Sequence, residues 1–387
     1  MYVKVAVPQI DEREIEGVAD VLRSGNYVSG KLVEEFGRRF ADYVGVEHAV
    51  AVSNGTAAIH AALAAHDLQP GDEVIVPALT FFSTATAVVH AGGVPVFADI
   101  SFKNYCLDPA DLERALTPRT VGIIPVHYFG HAAEMDAINA FAEAHGLFVI
   151  EDCAQSHGTL YKGRQTGALA DMGAFSFFAT KHMTTGEGGI VTTNDADKAH
   201  FMRQFRSHGM TGRHDHGILG YNYRMSEINA AIGLPQLEKL DTFNEGRIAA
   251  SEALIERIRD IDWLAVPQVP AHVRHTYFWL HVLVDEERLG FSAQDLIGVL
   301  REHGIETRNR YIEPLYKQPC LNGETLAPLL KAIAGPNLPD YGAMHLPNAE
   351  RIAGRVIGLP NRPFMPAEEI EYVADTLRSL GRARQAA

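Results

Sequence analysis

Cysteine is scarce in this chain, and several features that would mark a special class of protein are missing. The 387 residues include only Cys106, Cys153 and Cys320, and no two of them have CxxC spacing. This small, odd set argues against a disulfide framework or a structural zinc site and favours a reducing compartment. No apolar run approaches the length of a membrane span, and the first dozen residues lack the apolar core of a signal peptide. We therefore expect a cytoplasmic protein without a membrane anchor.

Positive charge is also in short supply. The chain has 34 Lys and Arg against 48 Asp and Glu, a formal net charge of −14. Such an acidic balance argues against nucleic acid or an anionic membrane as the main partner, although a local cleft can still bind an anionic small molecule. The composition is that of a globular protein, and the length exceeds what one hydrophobic core usually organises. Two domains are therefore expected.

Strand and helix patterns alternate through the first half of the chain. The predicted strands are residues 49–52, 73–77, 94–99, 122–126, 147–152, 173–178 and 189–194, with amphipathic or Ala-rich helices between them. This alternation is typical of a mostly parallel sheet that is covered by helices on both faces.

The pattern changes after Asn222. Long helical segments follow, with a predicted break near Pro235, and then a β-run over 275–285. We place a domain boundary near residue 240. The prediction is a large α/β domain over residues 1–240 and a smaller α+β domain over residues 241–387.

A first chemical motif lies at SNGTAAIHAAL (53–63). The predicted strand ends at the turn Ser53-Asn54-Gly55, and an Ala-rich helix begins at Thr56. The free N–H groups and partial positive charge of a helix N-terminus suit a phosphate. An ordinary N-cap turn is the alternative interpretation.

A second motif, LFVIEDCAQSHG (147–158), places Glu151 and Asp152 at the end of an apolar strand. Ligands of open α/β sheets bind outside the carboxyl ends of the strands. A carboxylate at this position is either functional or a cap on the following helix. If it is buried, it requires a cationic partner.

A third motif, FSFFATKHMTTGEGG (175–189), places Lys181 just after an apolar strand and before a glycine-rich loop. A lysine in this context is often a surface residue. In a crevice beside a carboxylate and a phosphate-binding turn, it can instead form a Schiff base. A phosphate site, a carboxylate and a reactive amine are together the requirements of pyridoxal 5'-phosphate (PLP).

These motifs, with GDEVIVPALTFFSTATA, PVHYFG and GYNYRMSEINAAIGLPQLEKLD, resemble segments of the DegT/DnrJ/EryC1/StrS family of sugar aminotransferases. The resemblance covers nearly the whole chain. It implies an α/β fold of PLP fold type I, in which a mixed, mostly parallel seven-stranded sheet is flanked by helices. A smaller α+β domain then forms the C-terminal part.

The resemblance also implies roles for individual residues. Lys181 would form the imine with PLP, and Asp152 would pair with the pyridinium nitrogen. The other coenzyme-binding residues implied are Gly55, Thr56 and Ser176 for the phosphate, Phe81 and Gln155 for the ring, and Asn222, which would reach the coenzyme of a neighbouring subunit. The last role implies a homodimer with shared active sites.

The implied reaction transfers an amino group from an amino acid, L-glutamate in most of the family, to a nucleotide-linked keto-sugar. Pyridoxamine 5'-phosphate stands between the two half-reactions. The loop KHMTTGEGG resembles family members that aminate C4, which indicates a 4-keto-6-deoxysugar and a perosamine-type product. His182, Arg308 and Arg310 are the candidate substrate ligands.

Two other functions remain open within the family. One is a sugar dehydratase, in which a His replaces the lysine; the presence of Lys181 favours transamination. The other is a non-enzymatic regulator built on the same fold. Outside the family motifs, we expect no metal at the histidine-rich stretch 208–216, because the ligand set is incomplete. We expect Cys153 to be a packing residue and the aromatic run 276–282 to be a core strand.

Overall fold

The structure, a computed structural model, describes residues 1–309 and 311–385, the last five by their backbone alone. Its strands are β1 (His48–Val52), β2 (Glu73–Pro77), β3 (Val94–Ala98), β4 (Thr120–Ile123), β5 (Phe148–Asp152), β6 (Leu160–Tyr161), β7 (Arg164–Gln165), β8 (Met172–Ser176), β9 (Gly189–Thr193), β10 (Leu264–Ala265), β11 (Val273–Arg274), β12 (Leu280–Val284) and β13 (Val356–Leu359). Its helices are α1 (Glu12–Ser24), α2 (Lys31–Val44), α3 (Gly55–Ala64), α4 (Ser83–His90), α5 (Leu112–Ala115), α6 (Met135–His145), α7 (Ala196–Phe205), α8 (Glu227–Ile258), α9 (Glu286–Leu289), α10 (Ala293–Glu302), α11 (Pro328–Ala334), α12 (Pro347–Ile352) and α13 (Ala367–Gln385).

The largest sheet has seven strands in the order β1-β9-β8-β5-β4-β2-β3. The strands from β8 through β5, β4 and β2 to β3 are parallel, whereas β9 is antiparallel to both of its neighbours. The predicted mixed, mostly parallel sheet of seven strands is therefore confirmed. Because β1, β2, β5 and β8 run in one direction, their carboxyl ends meet at one edge of the sheet.

Helices cover this sheet on both faces. Every residue of β2, β3, β8 and β9 is buried, as expected for strands packed between two layers. Helix α3 packs on β8 and β9, and α2 packs on β1. None of the described helices combines the length and the apolar character needed to cross a membrane.

The break predicted near Pro235 is wrong, because α8 continues through this residue from Glu227 to Ile258. Pro235 has no N–H group, so the carbonyl four residues earlier, at Ala231, loses its usual helical donor. Packing of the flanking turns on α1 and α2, with Ala231, Gly233 and Gln236 buried, holds the helix together across this gap. The domain boundary predicted near residue 240 falls within this helix.

A separate hydrophobic cluster joins the last half of α8 to β12, α10 and α13. Other C-terminal residues pack on the large sheet instead. The Tyr341 hydroxyl donates to the Pro95 carbonyl of β3 at 2.8 Å, and the N–H groups of Asn348 and Ala349 donate to the Asp99 carboxylate at 3.0 and 2.8 Å. The C-terminal part of the chain therefore closes over the edge of the sheet next to β3.

The β-run predicted over 275–285 is wrong in its first half, because β12 begins only at Leu280. Tyr277 has a φ of 47°, a left-handed conformation that does not fit a strand. Its N–H group donates to Nδ1 of His275 at 2.8 Å instead of joining a ladder. This irregular segment directs the next two residues toward the carboxyl edge of the large sheet.

Glu151 of β5 is fully buried and holds a neighbouring turn in place. Its carboxylate accepts the backbone N–H groups of Gly167, Leu169 and Ala170 at 2.8, 2.7 and 3.0 Å. It also contacts Nε2 of His127 at 2.8 Å. Since these four donors lie away from water, the carboxylate is their acceptor in the folded protein.

We predict that Glu151→Gln lowers the free energy of unfolding by about 2–4 kcal/mol. The amide has a single acceptor oxygen, and its NH₂ group faces at least one buried N–H donor, which is then left unsatisfied. Urea denaturation followed by circular dichroism measures the change. The exposed residue Glu245 offers a control, because Glu245→Gln removes no buried acceptor and should leave the midpoint within error. Equal midpoints for both variants would contradict the prediction.

Candidate active site

A cavity of about 670 Å³ opens at the carboxyl edge of the large sheet. It brings together seven of the eight residues implied to bind the coenzyme: Gly55, Thr56, Phe81, Asp152, Gln155, Ser176 and Lys181. These residues follow β1, β2, β5 and β8 in the sequence. The parallel arrangement of those strands is what gathers them at one place.

The first turn of α3 and the end of β8 form a narrow cradle. Asn54 caps the helix, because its Oδ1 accepts the N–H group of Ala57 at 2.8 Å. The N–H groups of Gly55 and Thr56, at the start of the helix, have no intrahelical acceptor. A Cβ atom at Gly55 would lie 2.6 Å from Cβ of Ser176, so only glycine fits here. The cap interpretation is therefore confirmed at Asn54. The phosphate interpretation stays a prediction for the adjacent Gly55 and Thr56.

Asp152 forms the floor of the cavity and is 3% exposed. Its carboxylate accepts the Thr84 hydroxyl at 2.9 Å and the Ala154 N–H group at 3.1 Å. Burial raises the pKa of this carboxyl, while these two hydrogen bonds and the charge of Lys181 oppose the shift. A cation bound in the cavity would stabilise the ionised form further.

Lys181 lies in the irregular segment between β8 and β9. Its N–H group donates to the Phe178 carbonyl at 2.9 Å, which fixes the backbone. The side-chain Nζ lies 4.6 Å from the centroid of the Phe278 ring. The amine is therefore held in the cavity wall, over the face of an aromatic ring.

Gln155 has its amide oriented by two partners. Its Oε1 accepts the N–H group of Phe129 at 2.9 Å, and its Nε2 donates to the Tyr311 hydroxyl at 3.0 Å. Phe129 has a φ of 56°, an uncommon conformation for a bulky residue. The hydrogen bond from Gln155 holds this turn, and in return the amide is fixed at the cavity wall.

The lining residues that the sequence analysis missed include Tyr223, Phe278, Trp279 and Tyr311. Residues 276–282 are expected to form a core strand. Phe278 and Trp279 are in the core as expected, but the strand is wrong for them, because they precede β12 and line the cavity. Their side chains are only 5% and 4% exposed, so a buried run that lines a cavity has the same apolar sequence pattern as a core strand. The short run HTYFW, with three aromatic residues and a histidine, is the signal that could have drawn attention to Phe278 and Trp279.

The remaining predicted site residues do not line this cavity. Asn222 is exposed, close to Tyr223. His182 is buried against the rings of His157 and Phe278. Arg308 places its guanidinium carbon 5.4 Å from the centroid of the Trp279 ring. Arg310 lies outside the described residues.

The buried side chains of His127, Glu151 and Cys153 lie close enough to resemble a metal site. Each is already engaged, however. The Ala133 N–H group donates to Nδ1 of His127 at 3.0 Å, so Nε2 carries the proton that Glu151 accepts. Burial raises the pKa of the Cys153 thiol well above its ordinary value, which keeps it protonated and unreactive. The three side chains therefore have a structural role at β5 of the large sheet.

We predict that Asp152→Asn raises the melting temperature of the coenzyme-free protein by a few degrees at pH 7. Because burial raises the pKa of Asp152 in the folded protein, the protonated carboxyl stabilises the fold below the ordinary pKa of 3.8. This stabilisation is lost as the pH rises through the pKa of the folded state, and at pH 7 the buried carboxylate destabilises the protein. A neutral amide removes the cost of burying that charge. Scanning calorimetry between pH 4 and 8 should show the difference shrinking toward pH 4. A variant that is less stable at every pH would contradict the prediction.

Comparisons with known proteins show similarity to one family over nearly the whole chain. The model of the DegT/DnrJ/EryC1/StrS aminotransferase family matches residues 8–378. GDP-perosamine synthase of Caulobacter vibrioides is 38% identical, over 90% of this chain and 96% of that protein. UDP-N-acetyl-3-dehydro-alpha-D-glucosamine 3-aminotransferase of Acidithiobacillus ferrooxidans is 34% identical, over 98% and 99%.

A solved structure shows the same fold over the full length. DesV of S. venezuelae, crystallised with a ketimine intermediate, superposes with a TM-score of 0.86 at 32% identity and covers 98% of this chain and 99% of its own. The expected fold class and family are therefore confirmed. This chain is an aminotransferase and belongs to the DegT/DnrJ/EryC1/StrS family.

Proposed function

We propose that this aminotransferase holds PLP at Lys181 and transfers an amino group from L-glutamate to a nucleotide-linked 4-keto-6-deoxysugar. The observation that carries the proposal is the single cavity that joins the cradle at Gly55, the buried carboxylate of Asp152 and the amine of Lys181. Together these groups offer what PLP requires, namely a phosphate site, an anion for the ring nitrogen and an amine.

The residues present fit PLP. The N–H groups of Gly55 and Thr56 and the hydroxyl of Ser176 would hold the phosphate, at the positive end of α3. Asp152 would bind the protonated ring nitrogen, and the positive charge of that nitrogen would offset the cost of burying the carboxylate. Phe81 is 54% exposed at the mouth of the cavity and would cover the ring. When bound, PLP would supply the electron sink that the reaction requires.

Lys181 is the proton carrier in this proposal. Once an amino donor is bound, the Lys181 amine would stay within the cavity wall. From there it would accept a proton from the reacting carbon of the donor. With the keto-sugar it would donate a proton to the carbon that gains the amino group.

The identity of the sugar rests on the loop at 181–189, which resembles C4-aminating members of the family. The amino-sugar would serve polysaccharide or natural-product biosynthesis. The two relatives named above are similarly identical to this chain but differ in the nucleotide that their names contain, so identity alone does not choose the substrate. The exposed Asn222 supports the further proposal of a homodimer that shares its active sites.

Removal of Lys181 tests the proposal directly. We expect purified protein to show the visible absorbance of a lysine-bound coenzyme and to lose it on addition of L-glutamate. Lys181→Ala should lose the band and reduce turnover by at least about 1,000-fold, because it removes both the attachment point and the proton carrier. Lys162→Ala, at an exposed lysine paired with Asp136, is the matched control and should behave as wild type.

Borohydride reduction followed by peptide mapping identifies the attached residue. An adduct on any lysine other than Lys181, or full turnover in Lys181→Ala, would refute the proposal. Incubation with GDP- and dTDP-linked 4-keto-6-deoxyhexoses and nuclear magnetic resonance of the products then tests the substrate. Amination at C3, or release of water without incorporation of nitrogen, would refute the C4 assignment.

We predict that Gly55→Ala weakens binding of the coenzyme by roughly 10- to 100-fold. The added methyl group would overlap Cβ of Ser176, so α3 or β8 must move and the phosphate cradle opens. Dialysis against PLP, followed by absorbance, measures the affinity. Gly298→Ala is the control, since a Cβ there meets nothing within 4 Å on α10 and should stabilise the helix slightly. Unchanged affinity in Gly55→Ala would contradict the cradle.

A further inference from the structure

Arg247 of α8 is a buried cation without a partner. It is 5% exposed, and its Nε atom is shielded from water with no acceptor. Among the residues that the structure describes, none forms a hydrogen bond or an ion pair with its guanidinium. Burial, followed by the charge of Arg308, lowers the pKa of Arg247 to about 10, so it remains charged at neutral pH. An unpaired buried guanidinium is costly, and such an exception requires an explanation.

A second, small cavity lies in front of this side chain. It measures about 10 Å³, enough for one water-sized group. Its lining includes Arg247, residues 6–9 of the N-terminal segment, and Thr180, Lys181 and His182. Thr180 and Lys181 also line the cavity of about 670 Å³ at the carboxyl edge of the large sheet, which we call the main cavity. A molecule that reacts at Lys181 therefore lies within reach of the small cavity.

The surroundings of Arg247 offer donors but no negative charge. No Asp or Glu is among the described residues that line the small cavity. Both ring nitrogens of His157 and of His182 are buried without partners. Burial lowers the pKa of both imidazoles, so they are neutral and each can donate one hydrogen bond. The positive charge at this place therefore comes from Arg247 and Lys181, with Arg308 close enough to act on Arg247.

Among the described residues that line the main cavity, Lys181 has the one lysine or arginine side chain. The described lining of this cavity thus includes no arginine, and Lys181 is already assigned to the coenzyme. Both substrates of the proposed reaction are anionic, the donor through its carboxylates and the acceptor through its diphosphate. Arginine binds either group through two parallel hydrogen bonds.

We propose that Arg247 binds an anionic oxygen of the substrate, which reaches past Lys181 into the small cavity. This inference rests on the proposed function and adds a substrate-binding residue to it. The donor carboxylate and the acceptor diphosphate share the required chemistry. Binding of either one would give the buried guanidinium the partner that it lacks in the protein alone.

Glutarate and pyrophosphate are the probes that separate the two sources. Each is titrated into the coenzyme-loaded protein, and binding is followed through the absorbance of the coenzyme. In Arg247→Met we expect one probe to bind roughly 10- to 100-fold more weakly, as for loss of a charged hydrogen-bonded pair. Loss of glutarate binding identifies the donor carboxylate, and loss of pyrophosphate binding identifies the diphosphate. Arg247→Lys should recover part of the loss.

Arg257→Met is the matched control on the same helix. Arg257 is 40% exposed and faces Glu371, so its removal should change neither affinity. If both probes bind Arg247→Met as they bind the wild type, the inference is wrong.

The melting temperature of the coenzyme-free protein gives an independent readout. Loss of an unpaired buried cation should raise it in Arg247→Met, whereas loss of a purely structural arginine would lower it, and a lowered value would overturn the inference. Borohydride labelling of Lys181 distinguishes the two proposals. If the wild type forms no adduct at Lys181, the proposed function fails. If the adduct forms but Arg247→Met keeps both affinities, only the role of Arg247 fails.

Discussion

Burial of the Asp152 carboxylate at the end of a central strand is the constraint on which the rest of the site depends. The strand β5 lies between β4 and β8, so its carboxyl end is covered on both sides and little water reaches it. The hydroxyl of Thr84 and the N–H group of Ala154 compensate part of the lost hydration. A charge in this position is tolerated because the surrounding strands and helices are already packed around it, and because a bound cation can neutralise it.

The site has a second buried charge of the opposite sign. Arg247 lies beyond Lys181 as seen from Asp152, since the small cavity and the main cavity meet at Lys181 and Thr180. The fold therefore keeps an anion on one side of the reactive amine and a cation on the other. Burial of each charge has a cost in the protein alone, and the proposed ligands would offset it, which is the usual relation between stability and function at a binding site.

Sequence patterns predicted the layout of the sheet well, because strand and helix periodicity depends on neighbouring residues. All seven predicted strands of the large sheet are present, and α1 ends at Gly25 in the left-handed conformation expected of a helix cap. The failures occurred where distant packing overrides local preference. Pro235 does not interrupt α8, because α1 and α2 hold its flanks. The strand predicted from residue 275 begins only at Leu280, because Tyr277 has a left-handed backbone and the two residues after it line the cavity.

The sequence by itself determined that a glycine, a carboxylate and a lysine follow strand ends, and parallel strands bring such ends together. It could not determine which of Glu151 and Asp152 faces the cavity, because adjacent residues of a strand point to opposite faces and only the packed sheet has a defined inside. Tertiary structure alone decided that Gln155 meets Tyr311, 156 residues away, and that Arg247 lies beside Lys181. Contacts at such separations depend on how the whole chain closes over the sheet, which no local pattern records.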